Sequence, residues 1–596
     1  MSVSLRRALI GRPLATARAT HERLDKWVAL PVFASDALSS SAYATEEILI
    51  ALMVVGTAAL VYSLPIAAGI GLLLIIVTLS YRQTVLAYPS GGGAYIVARE
   101  NLGLNWAMVA GAALLIGYVV TVSVSVAAGV HAITSAFAWL RPYTVTMGVT
   151  AIALLALANL RGLRESGFVF AFPSYSFVAA MGITLVVGLV KAAESGALWE
   201  AHTAPREPIE MPGLLWAFIL MRAYAAGCTA LTGIEAISNG VQAFKPPEGR
   251  NAAITMFWMG GLLLMLFGGI TYLTHVYQIV PHLGAGGHGA GETVVSQLAE
   301  RIWGGKVGFY YVVQATTMLI LILAANTSFA GFPRLSAILA QDRFMPRQLA
   351  NVGDRLVYNN GIITLALLSA GLLVLFQGSV HGMLPFYAVG VFLSFTISQL
   401  GMVRRWFRLR TPGWQGSALM NGIGATTTFV VMIVLAVTRF MPEDANVICR
   451  IPFTNFTLRA GAWIVAVLIP MMVWSFYRIH DHYRSVAAQL TLVGYVPPPM
   501  PRNTVIVLVP SVNRGIVPAL QYAKSLGQDT RAVHIEIDTS TTPRLRNEWE
   551  PWSQGIPLVI LESPYRSLVD PLFRYLDEGE ALYPSDQVTD RTERFL

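Results

Sequence analysis

The sequence predicts an all-α membrane protein of twelve transmembrane helices, built on a five-plus-five inverted repeat with helices one and six broken, and ending in a small cytosolic α/β domain. Three observations carry that expectation. Of the 596 residues 55% are hydrophobic and 12% charged, with a mean hydropathy of +0.58, whereas soluble domains carry about 25% charged residues. Apolar runs long enough to cross a hydrocarbon core of roughly 30 Å recur throughout the first 476 positions. Two of these runs, five spans apart, are interrupted by small and polar residues, the sequence sign of an inverted-repeat transporter.

Residues 1–27 form a cytosolic N-terminal segment. Arg6, Arg7, Arg12, Arg18, Arg23 and Lys26 give it a basic character suited to the inner membrane face, without the apolar core of a signal peptide. Residues 28–476 form the transmembrane domain, with spans expected at 28–57, 63–88, 104–138, 143–160, 167–193, 213–242, 253–277, 307–330, 361–378, 381–401, 420–441 and 455–476. Loops after the even-numbered spans hold Arg82 and Arg99; Arg161 and Arg164; Lys245 and Arg250; Arg334, Arg343, Arg347 and Arg355; and Arg404, Arg405, Arg408 and Arg410. The opposite loops include Glu194, Glu200, Glu207 and Glu210, so the positive-inside rule puts both termini in the cytoplasm. Residues 477–502, containing GYVPPPMPRN, read as a linker, and 503–596 as the cytosolic domain. TVIVLVP, RAVHIEI and PLVILES there read as buried strands, with helices at Val517–Leu526 and Leu568–Leu576 and a partly parallel sheet.

The interrupted spans hold the chemistry. In the first, ALPVFASDALSSSAYATEEILIALMVV, the small, polar stretch Ser35 to Ser41 suggests a break, with Asp36 inside it either as an ion ligand or as the cap of a half-helix. Tyr43 lies seven residues on, two helical turns, and faces the same side. In the sixth, AYAAGCTALTGIEAISNGVQAF, Gly227 and Gly233 bracket Thr229 and Thr232, and Glu235 follows Thr232 by three. An acid, hydroxyls and exposed carbonyls together make an oxygen cage for a dehydrated cation, and the acid can couple a proton. Thr121 and Ser125, four apart on the third span, and Tyr387 on the tenth, offer further hydroxyls or serve helix packing.

Other chemistries find no support. Cys228 and Cys449 make no disulfide framework or metal motif, and no cofactor or catalytic constellation stands in a credible context, so an enzyme is not expected. The net charge of +8 reads as loop charge rather than nucleic-acid binding. SGGGAY (Ser90–Tyr95) lacks a phosphate-loop ending, and GAGGHG (Gly284–Gly289) matches a dinucleotide motif only in a predicted outside loop with no strand before it.

FASDALSSSAYATEEI, YPSGGGAYIVARENLG, TGIEAISNGVQAFKPP and FPRLSAILAQDRFMPRQLANVGDRLVYNNGI, in that order, resemble a bacterial potassium uptake family of the KimA type, KUP-like, within the amino acid, polyamine and organocation transporter superfamily. The resemblance spans nearly the whole chain. It implies a LeuT-like core in the bacterial inner membrane, importing potassium with protons. It also implies an ion path through residues that match Asp36, Tyr43, Thr121, Ser125, Thr232, Glu235 and Tyr387, with Glu235 and Asp36 in proton coupling. Family members are homodimers through C-terminal domains similar to universal stress proteins, and some are inhibited by cyclic di-AMP. The chain departs from the pattern at Gly117, where an aspartate precedes the tyrosine of the third span, and its tail is expected to lack a final strand and helix. An amino acid or polyamine permease is the alternative within transport, and a nucleotide-sensing membrane protein with vestigial transport the alternative from another class.

Overall fold

The computed structural model describes residues 25–89, 91, 93–161, 167–198, 213–281, 291–353, 357–440, 447–450, 457–459, 461–491, 504–527, 529–563 and 567–582, and it divides into two units, Met1–Ala488 and Gln489–Leu596. The N-terminal segment up to Leu24, GAGGHG, Ser90 and Gly92 of SGGGAY, and residues 492–502 of the linker lie outside the described residues.

The first unit is helical. Its helices are α1 (Lys26–Met53), α2 (Ser63–Ala87), the short α3 (Gly93–Asn101), α4 (Leu104–Ala136), α5 (Thr144–Leu160), α6 (Gly167–Glu194), α7 (Gly213–Gly227) and α8 (Glu235–Asn239). After these come α9 (Glu248–Val276), the short α10 (Val294–Trp303), α11 (Phe309–Gln341), α12 (Asn359–Leu375), α13 (Val380–Leu409), α14 (Trp414–Thr438) and α15 (Trp463–Leu490). Ten described helices are long and apolar enough to cross a membrane. The other two predicted spans are helices as well: α1, diluted by Asp36, Glu46, Glu47 and its serines, and α12, which has 17 residues.

Burial sorts the helices. The most apolar stretch of α4 is 89% buried and that of α13 83%, against 22% around α5 and 17% in α15, so α4 and α13 run through the core while α5 and α15 stand at the rim. The ends are set by local chemistry. Thr293 accepts the Ser296 amide at 3.3 Å to cap α10, which stops at Gly304 in the left-handed region, and Ser379 caps α13 through the Gly382 amide at 3.2 Å.

Three expectations need correction. The first span is not broken: α1 runs continuously from Lys26 to Met53. The hydroxyls of Ser39, Ser40 and Ser41 bond back to the carbonyls of Asp36, Ala37 and Leu38 at 2.9, 2.6 and 2.7 Å, so these three serines are satisfied without a break, and Asp36 caps nothing. Arg334 is not a loop charge, because it sits within α11. The last helix begins at Trp463, after a short antiparallel pair (β1, Val447–Arg450; β2, Thr457–Arg459), and continues to Leu490, so residues 477–490 are helical.

In the second unit, β3 (Thr504–Leu508), β4 (Asp529–Glu536) and β5 (Leu558–Glu562) form one parallel sheet in that order. Parallel neighbours need crossovers, which α16 (Ile516–Leu526) and α17 (Thr542–Trp549) supply, and α18 (Val569–Leu582) follows. The proline and charges of TTPRLRNEW hid α17 from sequence reasoning. Yet Leu545 and Trp549 on it close the small core with Val509, Leu520, Ala532 and Ile556, and the Trp549 indole N–H donates to the Ile556 carbonyl at 3.1 Å.

Candidate functional site

The sixth span does break. α7 stops at Gly227, a 3-10 turn covers Cys228–Leu231, Thr232 is extended (φ −66°, ψ 145°), Gly233 takes φ +84°, and α8 restarts the helix at Glu235. The continuous α1 crosses this break at backbone distance. A Cβ on Gly233 would lie 2.7 Å from the Ala37 amide nitrogen and 2.8 Å from the Asp36 carboxyl carbon, and one on Gly240 would lie 2.3 Å from the Phe33 ring. Close approach and positive φ both require glycine at position 233. The contact is stitched by Ser40, whose hydroxyl also reaches the Ala230 carbonyl at 3.0 Å.

All seven predicted site residues are buried. Asp36, Thr121 and Glu235 line one cavity between α1, α4, α8, α11 and α13, with about 40 Å³ of internal room. Tyr43, two turns along α1, meets the break itself: Thr232 donates its hydroxyl to the Thr229 carbonyl at 2.7 Å, leaving its oxygen to accept from the Tyr43 hydroxyl at 3.5 Å. Tyr387 on α13 faces Asp36 and Thr121 without closing a hydrogen bond on either. The Thr121 hydroxyl bonds back to the Gly117 carbonyl at 2.9 Å, which leaves its oxygen lone pairs for the cavity. Ser125 is buried one turn further along α4 and does not line the cavity.

One oxygen of Asp36, one of Glu235 and the Tyr387 hydroxyl are buried without a hydrogen-bond partner among the described residues. Buried polar atoms are nearly always paired, and a carboxylate left alone costs several kcal/mol. Two such carboxylate oxygens on one small space, with the Tyr387 hydroxyl beside Asp36 though not in the cavity wall, form a donor set for a hard cation rather than a packed core.

Sequence reasoning missed the far wall. Phe33, Tyr118, Asn239, Gly331 and Arg334 also line the cavity. Asn239 donates its side-chain N–H to the Tyr118 hydroxyl at 2.8 Å, and Arg334 reaches the Asn239 carbonyl at 3.4 Å. Gly91 and Gly93 of SGGGAY come up under Asn239, a Cβ on Gly91 falling 3.3 Å from its carbonyl oxygen. Close by, Tyr95 donates to Asp342 at 2.8 Å and Arg99 pairs with the same carboxylate. Three of the long recognisable segments therefore meet at one end of the cavity. The spacing of Asn239 from Glu235, four residues and so one helical face, was the available signal.

Beyond Tyr43, Glu47 on the next turn of α1 accepts from His381 at 2.9 Å and pairs with Arg439 at 3.7 Å, so an ionic cluster ties α1, α13 and the end of α14 together.

The same chain matches known proteins at both ends. Residues 27–470 fit the family model of amino acid permeases, and residues 501–590 the KimA potassium transporter C-terminal domain. The potassium transporter KimA of Bacillus subtilis (strain 168) is 43% identical over 585 residues, covering 98% of this chain and 91% of that one. A solved manganese transporter of Eremococcus coleocola, in complex with an aromatic bis-isothiourea substituted compound, is 9% identical, with 78% of this chain and 95% of that chain covered and a TM-score of 0.41. A multi-pass membrane protein with an amino acid permease region followed by this tail domain, the chain belongs to the KimA family.

Proposed function

We propose that the chain is a secondary active transporter that imports potassium by proton symport, alternating access around the cavity between α1, α4 and the broken sixth span. The observation that carries this reading is the pair of buried acids, Asp36 and Glu235, each with an unpartnered oxygen at one small cavity. A dehydrated cation there gains the carboxylates, the Thr121 and Tyr387 hydroxyls and the backbone of the break in place of its hydration shell. With two acids at the site, one holds the proton while the charge of the other holds the cation, so ion and proton travel together. Tyr43, Thr232 and Ser125 complete the ion path toward the other side of the break.

Size favours an ion over an amino acid. The internal room of about 40 Å³ is only about three times the roughly 10–15 Å³ that one water requires. The permease reading also needs free amides to hold a substrate carboxylate, and Asp36 presents negative charge there instead. The short helices α3 and α10 follow the second and seventh spans, corresponding places in two five-helix halves, which supports the inverted repeat and, with α1 and α12 crossing the membrane, twelve spans. The same reading sets both termini in the cytoplasm of a bacterial inner membrane, and makes the tail, similar to universal stress proteins, the homodimer contact and the seat of cyclic di-AMP control.

Charge removal tests the site. Asp36→Asn and Glu235→Gln each delete a charged ligand contact worth about 1.5–3 kcal/mol, or about ten- to hundredfold in apparent potassium affinity. Well-expressed variants that both import potassium like the parent would overturn the proposed cage.

A further inference from the structure

Unpartnered buried polar atoms continue along α13 away from the cation cavity, beginning at Tyr387. Tyr387, Ser394 and Ser398 stand at i, i+7 and i+11 on α13, within about 40° of one another around the helix and along about 16 Å of its length. The hydroxyls of all three are buried and have no hydrogen-bond partner among the described residues, and the same holds for the Tyr81 hydroxyl on α2 and the Gln399 side-chain nitrogen. A serine or threonine inside a helix ordinarily bonds back one turn, and Thr396 on the adjoining face does so, donating to the Phe392 carbonyl at 2.8 Å. Ser394 and Ser398 do not. The Tyr81 ring packs edge-on against Phe395, and its hydroxyl faces Ser398 without closing a bond, within electrostatic reach of Glu235 and Tyr118.

The stripe has an outer end. Ser80 bonds to Gln399 and, at 2.6 Å, to Asn421, whose side-chain N–H donates to Gln83 at 2.6 Å. Gln83 is half-buried, and next to it Arg82 is exposed on the end of α2 that the loop charges assign to the cytoplasm.

We propose that this face of α13, with Tyr81, is a hydrated passage that carries protons between Glu235 and the Ser80–Gln399–Asn421–Gln83 cluster. Water is the ligand the chemistry selects: several partnerless donors and acceptors along one line give each water the two to four polar partners it needs. The named groups are all neutral. Hydroxyls and water exchange a proton along hydrogen bonds, with one O–H bond forming as the next breaks, and the Gln399, Asn421 and Gln83 amides orient that water, whereas a potassium ion leaving the acids for this stripe would find no charge to replace them. The cation and the proton therefore part company at Glu235. The passage rests on the proton-symport reading above, and its hydration does not.

The experiment uses the full chain with Cys228 and Cys449 replaced, in inside-out vesicles, labelled by a small membrane-impermeant methanethiosulfonate. Ser394→Cys and Ser398→Cys react, and Ile397→Cys, buried on another face, does not; serines no more reactive than Ile397→Cys overturn the passage. A second arm measures potassium-driven proton influx into liposomes with a trapped pH dye for Tyr81→Phe and Ser398→Ala. Proton influx falls roughly tenfold or more, while potassium still protects both variants against heat as it does the parent. Unchanged influx overturns the proton role even where the cysteines label. Labelled cysteines with no proton influx in the parent chain refute symport itself, a failure distinct from that of a dry stripe.

Discussion

Replacing Gly233 by alanine tests the crossing of α1 and the broken span. The new Cβ would sit 2.7 Å from the Ala37 nitrogen and 2.8 Å from the Asp36 carboxyl carbon and oxygen, whereas ordinary contact begins near 3.4 Å, so Asp36 must retreat by about 0.6 Å. The first obstacle is backbone, which does not swing aside as a flexible side chain does. Alanine at φ +84° adds strain of about 1–3 kcal/mol. Ligand constellations need placement to within about 0.5 Å, and displacements near 1 Å cost on the order of a hundredfold. Gly233→Ala should therefore lose roughly a hundredfold in potassium uptake in proteoliposomes, with only a modest fall in thermal midpoint. Gly261→Ala is the control: a Cβ there meets nothing within 4 Å inside α9, and it should gain about 0.5–1 kcal/mol with uptake unchanged. Parental uptake by Gly233→Ala would refute the close crossing.

Further outcomes follow from single positions. Tyr387→Phe removes a buried hydroxyl that has no partner among the described residues, so its thermal midpoint stays or rises while uptake drops about tenfold; equal uptake would remove Tyr387 from the ion path. Gly117 lines the cavity, and a Cβ on it comes no closer than 4.0 Å to Val391, so Gly117→Asp should fold and tighten apparent potassium affinity by about tenfold, and an unchanged affinity would place that position off the path. In the tail, Trp549→Ala should cost about 3–5 kcal/mol, seen as early protease cleavage after Ala488 in the full chain; a tail as resistant as the parent's would contradict the core assigned to α17.

Much of this was legible because the membrane imposes simple patterns. Apolar length located the helices, since a span must satisfy its own backbone. Gly227 and Gly233 marked the sixth break correctly, for different reasons: Gly233 takes a positive φ, whereas Gly227 keeps a helical φ and a Cβ there would run into Ile48 and Ile70. The same cue failed in α1: serine polarity is ambiguous, as a hydroxyl that can bond the preceding turn needs no break, and only the neighbouring chain decides. Asp36 and Glu235 stood out as acids in apolar surroundings, but their meeting point depended on the crossing. Arg334 was misread because its charge matched the loop rule, while α11 extends past the apolar run and carries it inward. The Tyr118–Asn239 contact joins residues 121 positions apart, which no local spacing announces.

The central claim is that the cavity moves potassium with protons. Potassium uptake by proteoliposomes, with and without an inward proton gradient and with an amino acid mixture as competitor, tests it most directly. The account predicts uptake that the gradient stimulates and that amino acids leave unchanged. Amino acid uptake without potassium flux would contradict it and return the chain to the permease reading.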